Sequence, residues 1–305
     1  MSVPMPAISL AAVPGRRHTI VEAAQRSERH GFAGVYLPSL GDNMALATVL
    51  ATATQHIAFG TSIMPIYFRA PLDLAQTAAF VHELSGGRFR FGVGISHAPA
   101  HARHGVTPGK PLADMRAFVE TVRGAERIGE TPPIVLATLR RRMIRLAGEI
   151  GDGLVFANGS RSHMHQSLGE LPDAKRSDPD FFIGNMIPTC ISNDRAAAAA
   201  VNRRTLLSYA RLENYRNYWR EAGYVEEMDA AEAAIARNDN DALGAALSDR
   251  WLADNTLFGT ESEVLEGLEA WYDAGVRTPI LVPSSAAGNQ LKAIEELFSA
   301  CARLR

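Results

Sequence analysis

Residues 57–97 constrain the fold of this chain more than any other stretch of its sequence. The stretch opens with an apolar run, IAFGTSI, whose length and composition are typical of a buried parallel strand. Pro71 then stands where a helix would begin, and apolar residues at spacings of three and four up to residue 84 predict a helix packed on a sheet. A second apolar run, FRFGVGIS, follows Ser-Gly-Gly and predicts the next strand. The stretch therefore reads as a right-handed βαβ unit.

The same alternation of strand and helix patterns continues along the whole chain. Six helices are predicted besides those of one later region, at residues 19–30, 44–54 with Asn43 as the cap, 71–84, 111–127, 140–151 and 290–304. Eight apolar runs predict strands, at residues 7–13, 34–39, 57–63, 89–96, 133–139, 153–159, 181–192 and 278–284. Eight strands with intervening helices are the count of a (β/α)8, or TIM, barrel, which residues 1–305 could form as a single α/β domain.

Residues 193–277 exceed what a simple barrel needs between its seventh and eighth strands. A single helix would suffice there, but the pattern reads as several helices. If these helices lie at the carboxyl ends of the strands, the insertion would cover the active site as a lid. A surface elaboration or an oligomer contact is the alternative interpretation.

Charge and composition exclude several classes of function. The chain has 31 Lys and Arg against 33 Asp and Glu, a formal net charge of -2, which gives no electrostatic reason to bind nucleic acid or an anionic membrane. No run reaches the roughly 18 apolar residues of a membrane span, and the N-terminus lacks the basic region of a signal peptide. Cys190 and Cys301 are too few for a disulfide framework, which favours a reducing cytoplasm.

Two motifs resemble a known family. GTSIMPIYFRAPLDLAQ and LSGGRFRFGVGISH are similar to the third strand, third helix and fourth strand of the luciferase-like monooxygenase superfamily, flavin and deazaflavin enzymes built on a TIM barrel. The resemblance extends over most of residues 7–160 and is nearest to the actinobacterial oxidoreductases that use the deazaflavin coenzyme F420. It implies hydride transfer between F420 and a small organic substrate, in a protein that forms a homodimer.

The resemblance also implies which residues bind the cofactor. The peptide between Ser62 and Ile63 would be cis and would face the cofactor ring, the glycines of the fourth strand would line the ring pocket, and the fifth strand and the next helix would hold the phosphate. The cofactor-binding residues implied are Thr61, Ser62, Ile63, Gly94, Ser96, Ala137, Thr138, Leu139, Arg140, Arg141 and Asn158. Relatives commonly have Gly-Pro where Arg140 and Arg141 stand.

His97 is the candidate catalytic residue. It follows the fourth strand, where strand ends of a barrel carry chemistry, and a histidine suits proton transfer or a hydrogen bond to the cofactor near neutral pH. A solvated loop histidine is the alternative interpretation. His101 and His104 follow at spacings of four and three, but no acidic residue lies between Ser96 and Pro111, so no metal site is predicted.

Departures from the family pattern leave two alternative functions open. Ser39 and Leu40 replace the Asp-His pair of many relatives, which argues against a sugar-phosphate reaction and against the usual luciferase reaction. Ala117 stands where many relatives have Glu. One alternative is an FMN-dependent monooxygenase served by a flavin reductase. The other is a non-catalytic flavin-binding or structural relative.

Overall fold

The computed structural model describes residues 3–304, which form two compact units. The first unit comprises residues 5–156 and 169–184, and the second comprises residues 3–4, 157–168 and 185–304. No helix of the described chain is long and apolar enough to cross a membrane. The expectation of one domain over residues 1–305 stays a prediction.

The strands of the described chain are mostly short and buried. Their bounds are Ala7–Ser9 (β1), Val35–Leu37 (β2), Phe59–Thr61 (β3), Met64–Pro65 (β4), Phe89–Gly94 (β5), Ile134–Ala137 (β6), Gly153–Ala157 (β7), Phe182–Ile191 (β8), Leu257–Gly259 (β9) and Thr278–Ser284 (β10).

Helices separate successive strands, except β3 and β4. Those of the first half are Arg17–Arg29 (α1), Asn43–Ala53 (α2), Pro71–Leu84 (α3), Ala98–Arg103 (α4), Pro111–Arg123 (α5), Arg141–Ile150 (α6), Arg161–Leu168 (α7) and Asp173–Ser177 (α8). Those of the second half are Arg195–Ala210 (α9), Glu213–Glu221 (α10), Val225–Ala236 (α11), Asn240–Ala246 (α12), Asp249–Asn255 (α13), Glu261–Asp273 (α14) and Gln290–Cys301 (α15).

In the first unit, β1, β2, β3, β5, β6 and β7 pair in chain order and run parallel. Each successive pair is joined through a helix, because parallel neighbours need a crossover connection. The short β4 also pairs with β5. All these strands therefore end at the same edge of the sheet, and that edge is where a barrel carries its active site.

In the second unit, β8 pairs with β9 in parallel and also with β10. Helices α9 to α13 lie between β8 and β9 in the chain, as the pattern of residues 193–277 predicted. With β4 and β9 as additional short strands, the remaining eight strands and their helices give the (β/α)8 barrel fold, so the predicted fold class is confirmed.

Local chemistry explains where several elements begin. Helix α3 starts at Pro71, as predicted, because proline lacks an N–H that the first helical position would leave unpaired. Helix α14 starts with a capping box, in which the Glu263 amide donates to the Thr260 hydroxyl and the Thr260 amide donates to Glu263 Oε2 over 2.7 Å. Strand β10 has the predicted bounds.

Five elements were not predicted. Strand β4 lies in the segment expected to be a loop, and α4 lies in the segment of His97, His101 and His104 that was also expected to be a loop. Helices α7 and α8 follow the sixth strand, and β9 interrupts the helical region of residues 193–277. All are short, so their apolar patterns are weak, and a neighbouring strand selects β4 and β9 by pairing.

Candidate active site

The end of the third barrel strand has the predicted backbone. The peptide between Ser62 and Ile63 is cis. Thr61 Oγ1 donates to the carbonyl oxygen of Gly92 over 2.6 Å, and the Ser62 amide donates to the carbonyl oxygen of Leu37 over 2.7 Å. The strand end is therefore tied on both sides to its parallel neighbours, β2 and β5.

Asn43 has a different role from the predicted one. Asp42 is the N-cap of α2, because its side chain accepts from the Ala45 amide over 3.0 Å. The buried Asn43 instead donates through Nδ2 to the carbonyl oxygens of Leu37, at 3.3 Å, and Ile63, at 3.2 Å. Asn43 is thus a supporting residue of the candidate site, and its predicted role as the cap was wrong.

Close packing brings three predicted site residues together at the ends of β3, β5 and β6. A Cβ on Gly94 would lie 2.8 Å from Cγ1 and Cδ1 of Ile63 and 2.9 Å from Cβ of Ala137. A Cβ on Gly92 would lie only 1.8 Å from the carbonyl oxygen of Thr61. Real Cβ atoms do not lie this close to other atoms, so the neighbouring protein atoms leave room only for glycine at both positions.

His97 follows a turn with an uncommon backbone. Ser96 has a φ of 68°, in the left-handed region that few non-glycine residues adopt, and His97 is the N-cap of α4. Burial lowers the pKa of His97, and the charge of the nearby His101 lowers it further. Its imidazole is therefore neutral at neutral pH, with one ring nitrogen that donates and one that accepts.

The other two histidines of α4 contact protein groups. His101 Nε2 lies 2.7 Å from the carbonyl oxygen of Ile95, and the ring of His104 stacks on Phe68 with centroids 3.9 Å apart. Within residues 3–304, no group of three or more His, Cys, Asp or Glu side chains could hold a metal ion. The sequence pattern missed the role of His101, because its partner becomes visible only once α4 is folded.

The fifth barrel strand, β6, ends at Ala137, and Thr138, Leu139 and Arg140 link it to α6. The Thr138 amide donates to the carbonyl oxygen of Val155 over 2.9 Å, which continues the pairing with β7. The side chain of Thr138 is buried, and its hydroxyl has no hydrogen-bond partner among the described residues. Leu139 is half-buried, so the side chains of this segment are only partly covered.

The start of α6 suits an anion. Arg140 is the N-cap but makes no side-chain capping bond, and the first turn of the helix carries no acidic residue. Arg140, Arg141 and Arg142 are all exposed there. The first amides of a helix lack intrahelical acceptors, and the helix dipole adds to the positive charge of the guanidinium groups. A phosphate group could be held here by backbone and side chains together.

Asn158, at the end of the sixth strand, lies in the second unit. It has a φ of 57°, its amide donates to the carbonyl oxygen of Met186 over 3.0 Å, and its carbonyl oxygen accepts from Trp219 Nε1 over 3.3 Å. Two residues on, the Ser160 amide donates to the hydroxyl of Tyr218 over 2.9 Å. Helix α10 of the 193–277 region thus contacts the end of this strand. Its role as a lid stays a prediction.

Two surface clefts of the second unit lie apart from the predicted residues. One, of about 400 Å³, runs beside β9 and α14, and the other, of about 480 Å³, lies where β8 ends and α14 begins. Neither is lined by a predicted site residue, and the first is crossed by the ion pair of Arg195 with Glu263. The candidate site is therefore assigned to the strand ends and not to either cleft.

The residues present fit a flat cofactor that carries a phosphate. In the first unit, Ile63, Gly94 and Ala137 form a close apolar group, and the arginine-rich start of α6 follows Ala137 by three residues. The buried hydroxyls of Ser62 and Thr138 have no hydrogen-bond partner among the described residues, as expected of groups beside a polar ligand. The structure thus brings together the ends of three strands that the sequence predicted to line one site.

Residues 6–278 match the model of the protein family described as luciferase-like monooxygenase. A protein of Mycobacterium tuberculosis with the provisional name coenzyme F420-dependent oxidoreductase is 26% identical, over 90% of this chain and 93% of its own length.

Two solved structures have a similar fold. The coenzyme F420-dependent tetrahydromethanopterin reductase of Methanopyrus kandleri superposes with a TM-score of 0.78 at 16% identity, over 97% of this chain and 98% of its own. An F420-dependent secondary alcohol dehydrogenase, solved with an F420-acetone adduct, has a TM-score of 0.73 at 16% identity, over 99% of this chain and 100% of its own. At such identities these likenesses concern the fold.

Proposed function

Because this chain belongs to the luciferase-like monooxygenase family and is an oxidoreductase, we propose that it uses coenzyme F420 to transfer a hydride to or from a small organic substrate. The observation that carries the proposal is the contact of Ile63, Gly94 and Ala137 at three neighbouring strand ends, followed by the uncapped, arginine-rich start of α6. A flat ring and a phosphate need these two surfaces at one edge of a sheet.

When bound, F420 supplies the hydride donor or acceptor. The protein supplies orientation and a dry surface. Ile63 and Ala137 would hold the flat ring, while Arg140 and Arg141 would hold the phosphate. The carbonyl oxygen of Ile63 is fixed by Asn43 Nδ2, which keeps that surface in place. His97, whose pKa is lowered, would accept a proton from the substrate as a neutral imidazole when the substrate is oxidised, and would return that proton as an imidazolium in the reverse direction.

Titration of the purified protein with F420 and, separately, with FMN tests the proposal. We expect F420 to bind with quenching of its fluorescence and FMN to bind far more weakly. FMN that copurifies with the protein, or that binds more tightly than F420, would contradict the proposal. It would favour the FMN-dependent monooxygenase, the alternative to which the family's own description points. If neither cofactor binds, a non-catalytic structural relative is favoured.

We also propose that the protein forms a homodimer through α2 and α3. Helix α2 carries no charged residue, and its exposed face includes Val49. On α3, the side chains of Leu72, Phe80 and Leu84 are exposed at spacings of eight and four residues, along one face of the helix. Two copies could pair such faces without burying an unpaired charge on α2.

A cytoplasmic location is part of the same proposal. Cys190 and Cys301 are both free and buried, and burial raises the pKa of the Cys190 thiol to about 11 and that of the Cys301 thiol to about 12. Such thiols are unreactive and suit a reducing compartment, where no disulfide is needed for stability.

A further inference from the structure

A group of side chains beside the candidate site has no role in the function proposed so far. We call it the His101 clamp and define it as Tyr67, Phe68, His101 and Asp114. It joins the segment after β4, helix α4 and helix α5, all within the first unit. Tyr67 and Phe68 contact the buried ring of His101, which is 7% exposed, and Asp114 bonds to Tyr67.

His101 is bonded to the backbone of the strand end. Its Nε2 lies 2.7 Å from the carbonyl oxygen of Ile95, and a carbonyl oxygen can only accept a hydrogen bond, so Nε2 carries the proton. Ile95 immediately follows β5 and precedes Ser96, whose left-handed φ of 68° turns the chain into α4. The bond therefore closes a short loop from Ile95 to His101 that contains His97.

The ring of His101 is held from two other elements. Tyr67 meets it edge to face with centroids 5.5 Å apart, and Phe68 does so at 6.4 Å. The hydroxyl of Tyr67 donates to Asp114 Oδ2 over 2.6 Å, so α5 fixes the orientation of Tyr67. Burial and the Asp114 carboxylate both raise the pKa of Tyr67, which keeps the phenol protonated and donating at every physiological pH.

We propose that His101 is a positioning residue for hydride transfer, which acts by holding the Ile95 carbonyl and thereby the left-handed turn at Ser96 that presents His97. The proposal rests on the proposed function, because Ser96 and His97 belong to the candidate site. The clamp fixes this turn against α4 and α5 at once. Without the hydrogen bond, Ser96 could relax to an ordinary negative φ, which is favoured for serine, and His97 would move with it.

Removal of the His101 ring should also change the pKa of His97. His97 lies on the same element, Tyr67 faces the ring from the segment after β4, Asp114 acts through the Tyr67 hydroxyl, and His104 stacks on the clamp's Phe68. Of these groups, His97 is the one whose pKa is lowered by the charge of His101. Removing that charge should therefore raise the pKa of His97.

Two substitutions separate geometry from charge. In His101→Gln, the side-chain amide nitrogen can take the place of Nε2 and donate to Ile95. In His101→Asn, the shorter amide cannot reach that carbonyl, and both variants lack the imidazole. Nuclear magnetic resonance of the apoprotein, with labelled histidine rings, then gives the pKa of His97, and backbone amide signals report the turn at Ser96.

We expect the His97 pKa to rise in both variants, whereas the amide signals of Ser96 and His97 should move only in His101→Asn. With F420 and a working substrate, His101→Gln should keep kcat within about twofold, and His101→Asn should lose about 10- to 100-fold in kcat with little change in KM. Indistinguishable amide signals in the two variants would overturn the proposal.

These measurements distinguish the inference from the function on which it rests. Binding of F420 and FMN to the unaltered protein is measured first. If neither binds, the proposed function fails, while the apoprotein spectra still decide whether His101 holds the turn. If His101→Asn does not fold, His101→Gln decides alone: it keeps the hydrogen-bond donor, so amide signals of Ser96 and His97 that move in this variant contradict the inference.

Discussion

At the scale of the residue, Gly94 shows how little free space the candidate site has. In Gly94→Ala, the new Cβ would lie within 3 Å of Ile63 and Ala137 side-chain atoms. We expect a loss of about 1–3 kcal/mol in the free energy of unfolding, as for other overpacked positions, and weaker F420 binding because Ile63 must shift. Denaturant unfolding and F420 titration measure the two effects.

Gly244 provides the matched control for this substitution. It lies on α12 of the second unit, and a Cβ there would meet no heavy atom within 4 Å apart from its chain neighbours and the backbone of its own helix. Gly244→Ala should therefore leave F420 binding unchanged and raise the free energy of unfolding by up to about 1 kcal/mol, because alanine favours the helix. If Gly94→Ala and the unaltered protein had the same free energy of unfolding and the same affinity for F420, the position of Ile63 would matter to neither.

At the scale of the element, the start of α6 is the predicted phosphate site. Replacing Arg140 or Arg141 with Ala should weaken F420 binding by about 1–3 kcal/mol, roughly 5- to 150-fold in Kd, because each removes a charge-assisted hydrogen bond. The loss should shrink at high salt, which screens exposed charges. Titration of each variant at low and high ionic strength measures it.

Arg145 is the control on the same helix. It lies on α6 one turn further along and pairs with Glu170 over 2.6 Å, so Arg145→Ala removes an equal charge away from the helix start. Its Kd for F420 should stay close to that of the unaltered protein. If neither Arg140→Ala nor Arg141→Ala differs from Arg145→Ala, the phosphate is held elsewhere.

At the scale of the whole molecule, the exposed apolar face of α2 and α3 predicts self-association. Phe80 is 57% exposed on α3, and Phe80→Glu would place a charge in the proposed interface. We expect the unaltered protein to sediment as a dimer and Phe80→Glu as a monomer. Val225→Glu, at a 49% exposed position on α11, should remain a dimer. A monomeric unaltered protein at micromolar concentration would refute the proposed interface.

Some of the fold is predictable because its chemistry is local. Pro71 marks the start of α3 through its missing N–H, and Thr278–Ser284 is bounded as a strand by its own apolar run. The cis peptide at Ser62 was expected from a motif resemblance, since no propensity favours it there. Local rules failed for Asn43. Asparagine is a suitable N-cap residue, but this side chain donates a hydrogen bond to the carbonyl oxygen of Ile63, twenty residues away.

The sequence by itself determined the alternation of strands and helices, and hence the barrel fold, because hydrophobic periodicity and helix start signals act over a few residues. Only the tertiary structure decided which groups support the site. The bonds from Asn43 to Ile63 and from Tyr67 to Asp114, and the contact of Gly94 with Ala137, join segments that are distant in the chain. Such contacts depend on which strands are neighbours in the sheet, and they form only when the sheet itself has formed.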